Sequence, residues 1–467
     1  MSYRTEKDPL GELQVPSEAL YGVQTQRAIH NFPISGIRPH SAFVWGTVLI
    51  KRAAAVTHKE HQRLDPRVAD AIISAADQIL SGMHHDQFVV DIFQAGAGTS
   101  HNMNANELLA NMANESLGGT RGEYTPVHPN DHVNMSQSTN DVIPTAIALG
   151  ALRLLPTLYD GLDTLAKELE DKSKSWDHII KTGRTHLQDA TPLRLGQEFG
   201  AYAEAIRRDK AIIQAAEMPI RELSVGGTAV GTGLNAEPKY QTRIIEVIRE
   251  SGALPVKRSE NLFYSMQSMS RFANLSGSLR TLSTDLMRIA NDFRLLGSGP
   301  RTGFAEILLP AIQPGSSIMP GKVNPVLAEC MNMICLQISG NDVTISHAAE
   351  AGQLQLNVMM PIIGFNLCQS IEILGNGTRS FAEHCVSGLE ADERMIKFWL
   401  DRNTMLATAL APRIGYARAA EIAKEAVKTG ESVPEVARRL TDIQDDELNE
   451  ALDPAPMTEA GIRSDDS

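Results

Sequence analysis

Apolar residues recur at alternating gaps of three and four in several long stretches of the chain. Leu155, Leu158, Leu162, Leu165 and Leu169 form one such seam, and Leu275, Leu279, Leu282, Leu286, Ile289 and Phe293 form another. A third run passes through Phe199, Ala203, Ile206 and Ile213, and a fourth from Val326 through Cys330 and Ile334 to Ile345. The fifth spans roughly Leu354 to Leu374, where Pro361 is expected to kink it. This spacing is the buried face of a helix in a bundle, and no alternating strand-and-helix rhythm accompanies it. The predicted fold class is therefore mainly all-α. Shorter patterns fill the first part of the chain, and short helices resume after Asp392 before an acidic tail, Asp453 to Ser467. Three regions follow: an N-terminal domain (1–138), a central helical bundle (139–393) and a small C-terminal helical domain with its tail (394–467).

Some of these helices carry small or apolar residues on more than one face, as at Ala201, Ala203, Ala205, Ala211, Ala215 and Ala216. One copy of the chain cannot easily cover that much surface, so packing against other subunits is expected in preference to a large monomeric bundle.

Charge narrows the partners. The 467 residues hold 43 basic and 56 acidic side chains, a net charge of -13, which opposes nucleic acid or an anionic membrane as the main partner. Cys330, Cys335, Cys368 and Cys385 form no C-x-x-C pair and have no His at metal-ligand spacing, so reduced thiols and no metal site are expected. The opening MSYRTEKDPLGELQVP lacks the apolar run of a signal peptide, and no uninterrupted apolar stretch approaches the ~20 residues of a membrane span. Cytoplasmic residence is the default expectation.

Candidate chemistry lies in the polar segments between the helices: Gly96 to Asn106, His128 to Asp141, Thr182 to Gln188, Val225 to Asn235 and Gly297 to Gly321, all read as loops. Val225 to Asn235 (VGGTAVGTGLN) lacks the Gly-Lys-Ser/Thr of a phosphate loop and reads as a tight turn or close helix contact. Gln94 to Asn106 (QAGAGTSHNMNAN) gathers Thr99, Ser100, His101, Asn102 and Asn104 just before a helix, where N–H groups and hydroxyls suit a carboxylate. Capping alone would explain one of them, not the cluster. Ser136 to Asp141 also precedes a helix. Asp141 reads as its N-cap, whereas Ser138, Thr139 and Asn140 exceed what a cap needs. His128, Asn130 and Asp131 sit upstream in a Pro-containing turn, with solvated turn residues as the alternative. His186, beside Thr185, is by itself more often a structural histidine than a catalytic one, and only partners reverse that reading. Pro310 to Pro325 holds too many prolines and glycines for a regular element. It concentrates Ser316, Ser317, Lys322 and Asn324, with Gly315 and Gly321 bracketing the serines as the hinges of a closing lid would.

GSSIMPGKVNP, with GTSHNMN, SQSTND and GRTHLQD in that order, resembles the aspartase/fumarase superfamily across essentially the whole chain. The resemblance implies a three-domain fold with a central five-helix bundle, assembled as a homotetramer around a twenty-helix core, with sites shared between subunits. Within the superfamily, QAGAGTSHNMNANE, NMSQSTND and AEAGQLQLNVM are most similar to aspartate ammonia-lyases, while HPND at His128 and the presence of His186 are fumarase features. Elimination from L-aspartate through an enediolate is thus the expected activity, class II fumarate hydratase the alternative. A scaffold kept as a binding or structural protein, as in lens crystallins, should have lost site residues that are present here. By resemblance, Thr99, Ser138, Thr139 and Thr185 hold the carboxylate that becomes the enediolate, and Lys322 and Asn324, with Arg27, hold the other. Ser316 is the implied general base and Ser317 offers an N–H or hydroxyl contact. Asn140 and His186 lie at the leaving group with Glu329 orienting the imidazole, and His128, Asn130 and Asp131 form a secondary anion-binding turn. No organic cofactor is implied.

Overall fold

The computed structural model describes residues 2–461; the end of the acidic tail, from Ile462, lies outside the described residues. A hairpin of β1 (Tyr3–Asp8) and β2 (Gly11–Pro16) leads into α1 (Val23–Asn31), α2 (Ser41–Glu60), α3 (Pro66–Leu80), α4 (Thr99–Ser116) and the 37-residue α5 (Thr139–Ser175). A second hairpin, β3 (Ile180–Thr185) and β4 (Gln188–Arg194), precedes α6 (Leu195–Glu217), α7 (Pro238–Gly252), α8 (Leu262–Gln267), α9 (Ser270–Leu296), α10 (Val326–Glu350) and α11 (Met360–Phe381). Short helices between Glu393 and Ala451 complete it. Helix makes up 63% of the chain, and the sheets among the described residues are two-stranded, so the all-α class holds.

Three of the helical seams are buried as their spacing predicts: Leu158, Leu162, Leu165 and Leu169 in α5, Leu275 to Phe293 in α9, and Phe199 to Ile213 in α6. In the fourth, on α10, Ile345 is buried, but Val326 and Ile334 are half-buried and Cys330 is exposed. Helix α5 is long and apolar enough to cross a membrane, but 72% of its most apolar window is buried within the protein, which makes it a core helix. The fifth run begins later than expected. Pro361 is the second residue of α11 and initiates it without a kink, since the first turn has no need of the missing N–H. Leu354 and Gln355 form a turn closed by the Gln353–Leu356 bridge.

The chain separates into two compact units. The first comprises Met1–Asp160, Asp209–Ser283 and Ile334–Asn376. Here Val68, Ile72, Ala75, Ala76 and Ile79 of α3 pack with Val44, Val48, Leu108 and Leu109 of α2 and α4. Asp65 caps α3 by accepting from the N–H of Arg67, with Pro66 at the first helical position. Helices α2 and α5 approach closely at Gly46, where a Cβ would stand 2.6 Å from the carbonyl of Ala146. The second unit comprises Gly161–Arg208, Thr284–Met333 and Gly377–Ser467. Phe199 stacks on Phe293 and Phe293 on Phe381, and Leu406, Leu410, Ile422, Val436 and Leu448 form a separate C-terminal core.

Candidate functional site

In the first unit, α4 begins at Thr99, so His101, Asn102 and Asn104 are helical residues and not the loop expected from their polarity. Thr99 is exposed at the first position of the helix, after Gly98 in the left-handed conformation. His101 is fully buried, stacks on Phe43 and shares a hydrogen bond with Thr47 Oγ1. Burial pushes its pKa down to about 3, which makes it a neutral structural imidazole.

Behind the start of α4, Ser138 and Thr139 line a cavity of about 490 Å³ together with Asn102, Asn130, Asn134, Gln137, Thr228 and Asn235. Its floor is a network. Asn102 Nδ2 donates to Asn134 Oδ1 (3.2 Å) and to Thr139 Oγ1 (3.4 Å), and Lys51 Nζ donates to Asn134 Oδ1 and Gln137 Oε1 (both 2.9 Å). Asp141 is not the N-cap of α5: the helix starts at Thr139, Ser138 Oγ accepts from the N–H of Asn140 in the capping position, and Asp141 lies in the first turn. Its carboxylate accepts from the N–H of Ser138, Gly226 and Thr228, tying the Val225–Asn235 turn to the segment bearing Ser138. Burial raises its pKa to about 6, against the pull of those three donors and of Lys51. Asn140 Nδ2 donates to Ala229 O, which leaves its side-chain oxygen for any ligand. The turn at Val225 therefore walls the cavity, a role that its glycine-rich composition did not reveal.

The expected secondary turn is a single π-type turn, Pro129–Val133, in which His128 Nδ1 accepts from the N–H of Asn130 and Asp131. Those two N–H groups are internally satisfied, and Asn130 also lines the cavity. Arg27 lies on α1, gripped by both oxygens of Asp8 at 2.8 and 3.0 Å. That pair holds the Asp8 carboxyl below its usual range.

In the second unit, Thr182 to Gln188 forms a hairpin tip, not an open loop. Thr185 faces Gln188 across the ladder, and His186 and Leu187 are the two-residue connection, both at positive φ (57° and 58°). This is the φ signature of a type I′ turn, normally built from Asn and Gly. Thr185, His186 and Leu187 are exposed. The strands beneath them are fixed by Glu306, which is fully buried between Lys181 (2.9 Å) and Arg184 (2.8 Å), while Lys181 also meets Glu198 (2.8 Å). Arg184 in addition stacks over the ring of Phe304.

The segment expected to be a lid closes on itself. Gly315 is required there, because a Cβ would stand 2.1 Å from the carbonyl of Lys322, and Asn324 Nδ2 donates to Gly315 O. Ser316 Oγ accepts from the N–H of Ile318 (3.2 Å) and Met319 (3.0 Å). Ser316 and Lys322 line one cavity of about 450 Å³, and Ser317 is exposed next to it. Glu329 occupies the first turn of α10, and among the described residues no hydrogen bond or ion pair joins it to His186 within one chain. The candidates thus fall into three clusters: Ser138 with Thr139, Thr185 with His186, and Ser316 with Lys322 and Asn324.

Comparison with known proteins places the chain in a family over nearly its full length. The family model described as Lyase matches residues 11–340, and that described as Fumarase C C-terminus matches 406–459. An aspartate ammonia-lyase of Bacillus subtilis is 47% identical over 460 residues, covering 98% of this chain and 97% of its own. A class II fumarate hydratase of Halobacterium salinarum is 48% identical over 465 residues, 99% of each chain. The crystal structure of a fumarate lyase:delta crystallin from Brucella melitensis bound to cobalt superposes with a TM-score of 0.94 at 45% identity, covering 98% of this chain and 100% of that one. With both family models and relatives of two activities spanning nearly its full length, this chain belongs to the lyase family of the aspartase/fumarase superfamily.

Proposed function

We propose that the protein is an aspartate ammonia-lyase, eliminating ammonia from L-aspartate to give fumarate. The observation that carries an elimination next to a carboxylate is the environment of Ser316, whose oxygen already accepts two backbone N–H groups. A free serine is far too weak a base to remove a proton beside a carboxylate. Two oriented donors and the neighbouring Lys322 favour the ionised oxygen once the loop closes and water is excluded.

Proton removal leaves an aci-carboxylate with an extra negative charge, and oriented donors are worth about 3–4 kcal/mol each against such charge. Thr99, Ser138, Thr139 and Thr185 supply hydroxyls for it in this reading, and Lys322 with Asn324 anchors the second carboxylate. His186 and Asn140 face the leaving group. The reading uses no organic cofactor. It also places the three clusters together through a homotetramer, with Glu329 reaching His186 from another copy. Support for self-association comes from α10, where Leu336 (64%) and Val343 (57%) stay exposed and nothing approaches Gly340.

Ammonia is favoured over water by the segments Thr99 to Asn104, Ser138 to Asp141 and Ala349 to Met359, which resemble aspartases. The second reading, a class II fumarase, is favoured by the His128 turn and by relatives of equal identity. Absorbance of fumarate formed from L-aspartate and, separately, from L-malate decides between them: turnover of malate alone would overturn the first reading. Ser316→Ala is expected to abolish turnover while a dicarboxylate still binds, and substantial residual activity would remove Ser316 as the base.

A further inference from the structure

Lys51 is the most anomalous residue near the Ser138 cavity. It sits on α2 in an otherwise apolar run (Val48, Leu49, Ile50, then Ala53 and Ala54) and is 0% exposed. A buried ammonium is normally matched by a carboxylate, because desolvating a lone charge is expensive. Here, among the described residues, no carboxylate lies within ion-pairing distance, and its two hydrogen-bond partners are the neutral amide oxygens of Asn134 and Gln137. The one carboxylate whose charge acts on it, Asp141, does so from beyond ion-pairing distance while its oxygens accept from three backbone N–H groups.

We propose that Lys51 is a positioning residue for the reaction: it fixes Asn134 and Gln137 in the cavity floor and places a positive charge, held in no ion pair, beneath the anion formed there. The direct ion-pair partner of Lys51 is then the reacting carboxylate itself, with Asp141 acting from farther away. Both amides that Lys51 binds line the cavity with Ser138 and Thr139, and Asn134 links onward through Asn102 to Thr139 Oγ1. Charge one side chain away from the substrate stabilises a developing dianionic carboxylate more than the ground state, which is the condition for acting on turnover and not merely on binding. In keeping with this, burial pushes the Lys51 ammonium down to about 7, so an anion entering the cavity strengthens its hold on the proton.

The proposal rests on the lyase reading above, and its test separates the two. Affinities of the full-length protein are measured by titration calorimetry for succinate, a ground-state dicarboxylate, and for the nitronate of 3-nitropropionate, which carries the charge of the enediolate. Lys51→Met should weaken the nitronate at least about tenfold and succinate by less than about threefold, with kcat falling and KM nearly held, while Lys51→Arg should keep part of the preference. Should Lys51→Met fail to fold, Gln137→Glu sets a carboxylate against the ammonium without removing it and should give the same selective loss. Equal loss for both ligands, or no loss, overturns the role of Lys51. If the wild type turns over aspartate or malate while Lys51→Met retains nitronate binding, only this proposal fails; if the wild type turns over neither and binds neither anion, the lyase reading fails as well.

Discussion

Leu187→Gly is expected to stabilise the protein, although it removes a side chain from the candidate site. Leu187 has φ 58°, and His186 before it has φ 57°. A left-handed backbone costs an L-residue roughly 1–2 kcal/mol, because Cβ crowds the following carbonyl oxygen. Glycine carries no such penalty, but it gives back about 0.4–1 kcal/mol through the extra freedom of the unfolded chain. Little burial is lost, since Leu187 is 64% exposed. The net gain is then about 0–1.6 kcal/mol per subunit from the backbone terms alone. His186→Asn should act in the same direction, because Asn tolerates this region and Asn-Gly is the preferred type I′ pair. The assay is the urea midpoint or, should unfolding be irreversible, the half-life of inactivation at fixed temperature. His186→Asn should combine higher stability with lower turnover, as expected where strain is retained for function. A loss of stability in Leu187→Gly would refute the argument, since it would mean that the turn is held by contacts of that side chain and not strained by its backbone.

Two further substitutions probe buried charges. Glu306→Gln removes the carboxylate shared by Lys181 and Arg184; Lys181 keeps Glu198 but Arg184 loses its carboxylate, so the loss should be about 3 kcal/mol, the low end for breaking a buried pair. Because both cations lie on β3, thermal unfolding should fall together with kcat. An unchanged melting temperature would show that water already serves the site. Burial lowers the pKa of His101 in the folded protein from the ordinary imidazole value of about 6.5 to about 3. Its stabilising effect is therefore fully present above about pH 6.5 and is lost as pH falls toward about 3, at roughly 1.4 kcal/mol per pH unit. His101→Gln should abolish that component, so the wild type should lose about 2 kcal/mol more than the variant between about pH 8 and about pH 5 in denaturant titrations. Parallel losses would place the proton acceptor elsewhere.

The long helices were legible because burial over many turns leaves a period in the sequence that no other element imitates: the leucines from 155 to 169 predict α5, and they are its core face. Boundaries were less legible. Pro361 gives the same signal at the first turn of a helix as at a kink, and only the preceding bridge distinguishes them. The start of α4 was hidden by its polarity. Its asparagines are buried because they substitute for missing backbone partners: Asn104 bonds Val89 N and Gln87 O, and Asn114 bonds both the N–H and the carbonyl of Val127. Such pairings join residues far apart in order, so no local pattern announces them. The Ser316 loop could be singled out from its glycines and serines, yet the two N–H groups on Ser316 needed coordinates. The departures from local rules tell most about function. A His-Leu pair stands where Asn-Gly belongs, and a lysine is buried without an ion-pair partner, both beside hydroxyl-bearing candidates of the site. Neither departure is what local turn chemistry or core packing would select, and a substitution at each position tests it.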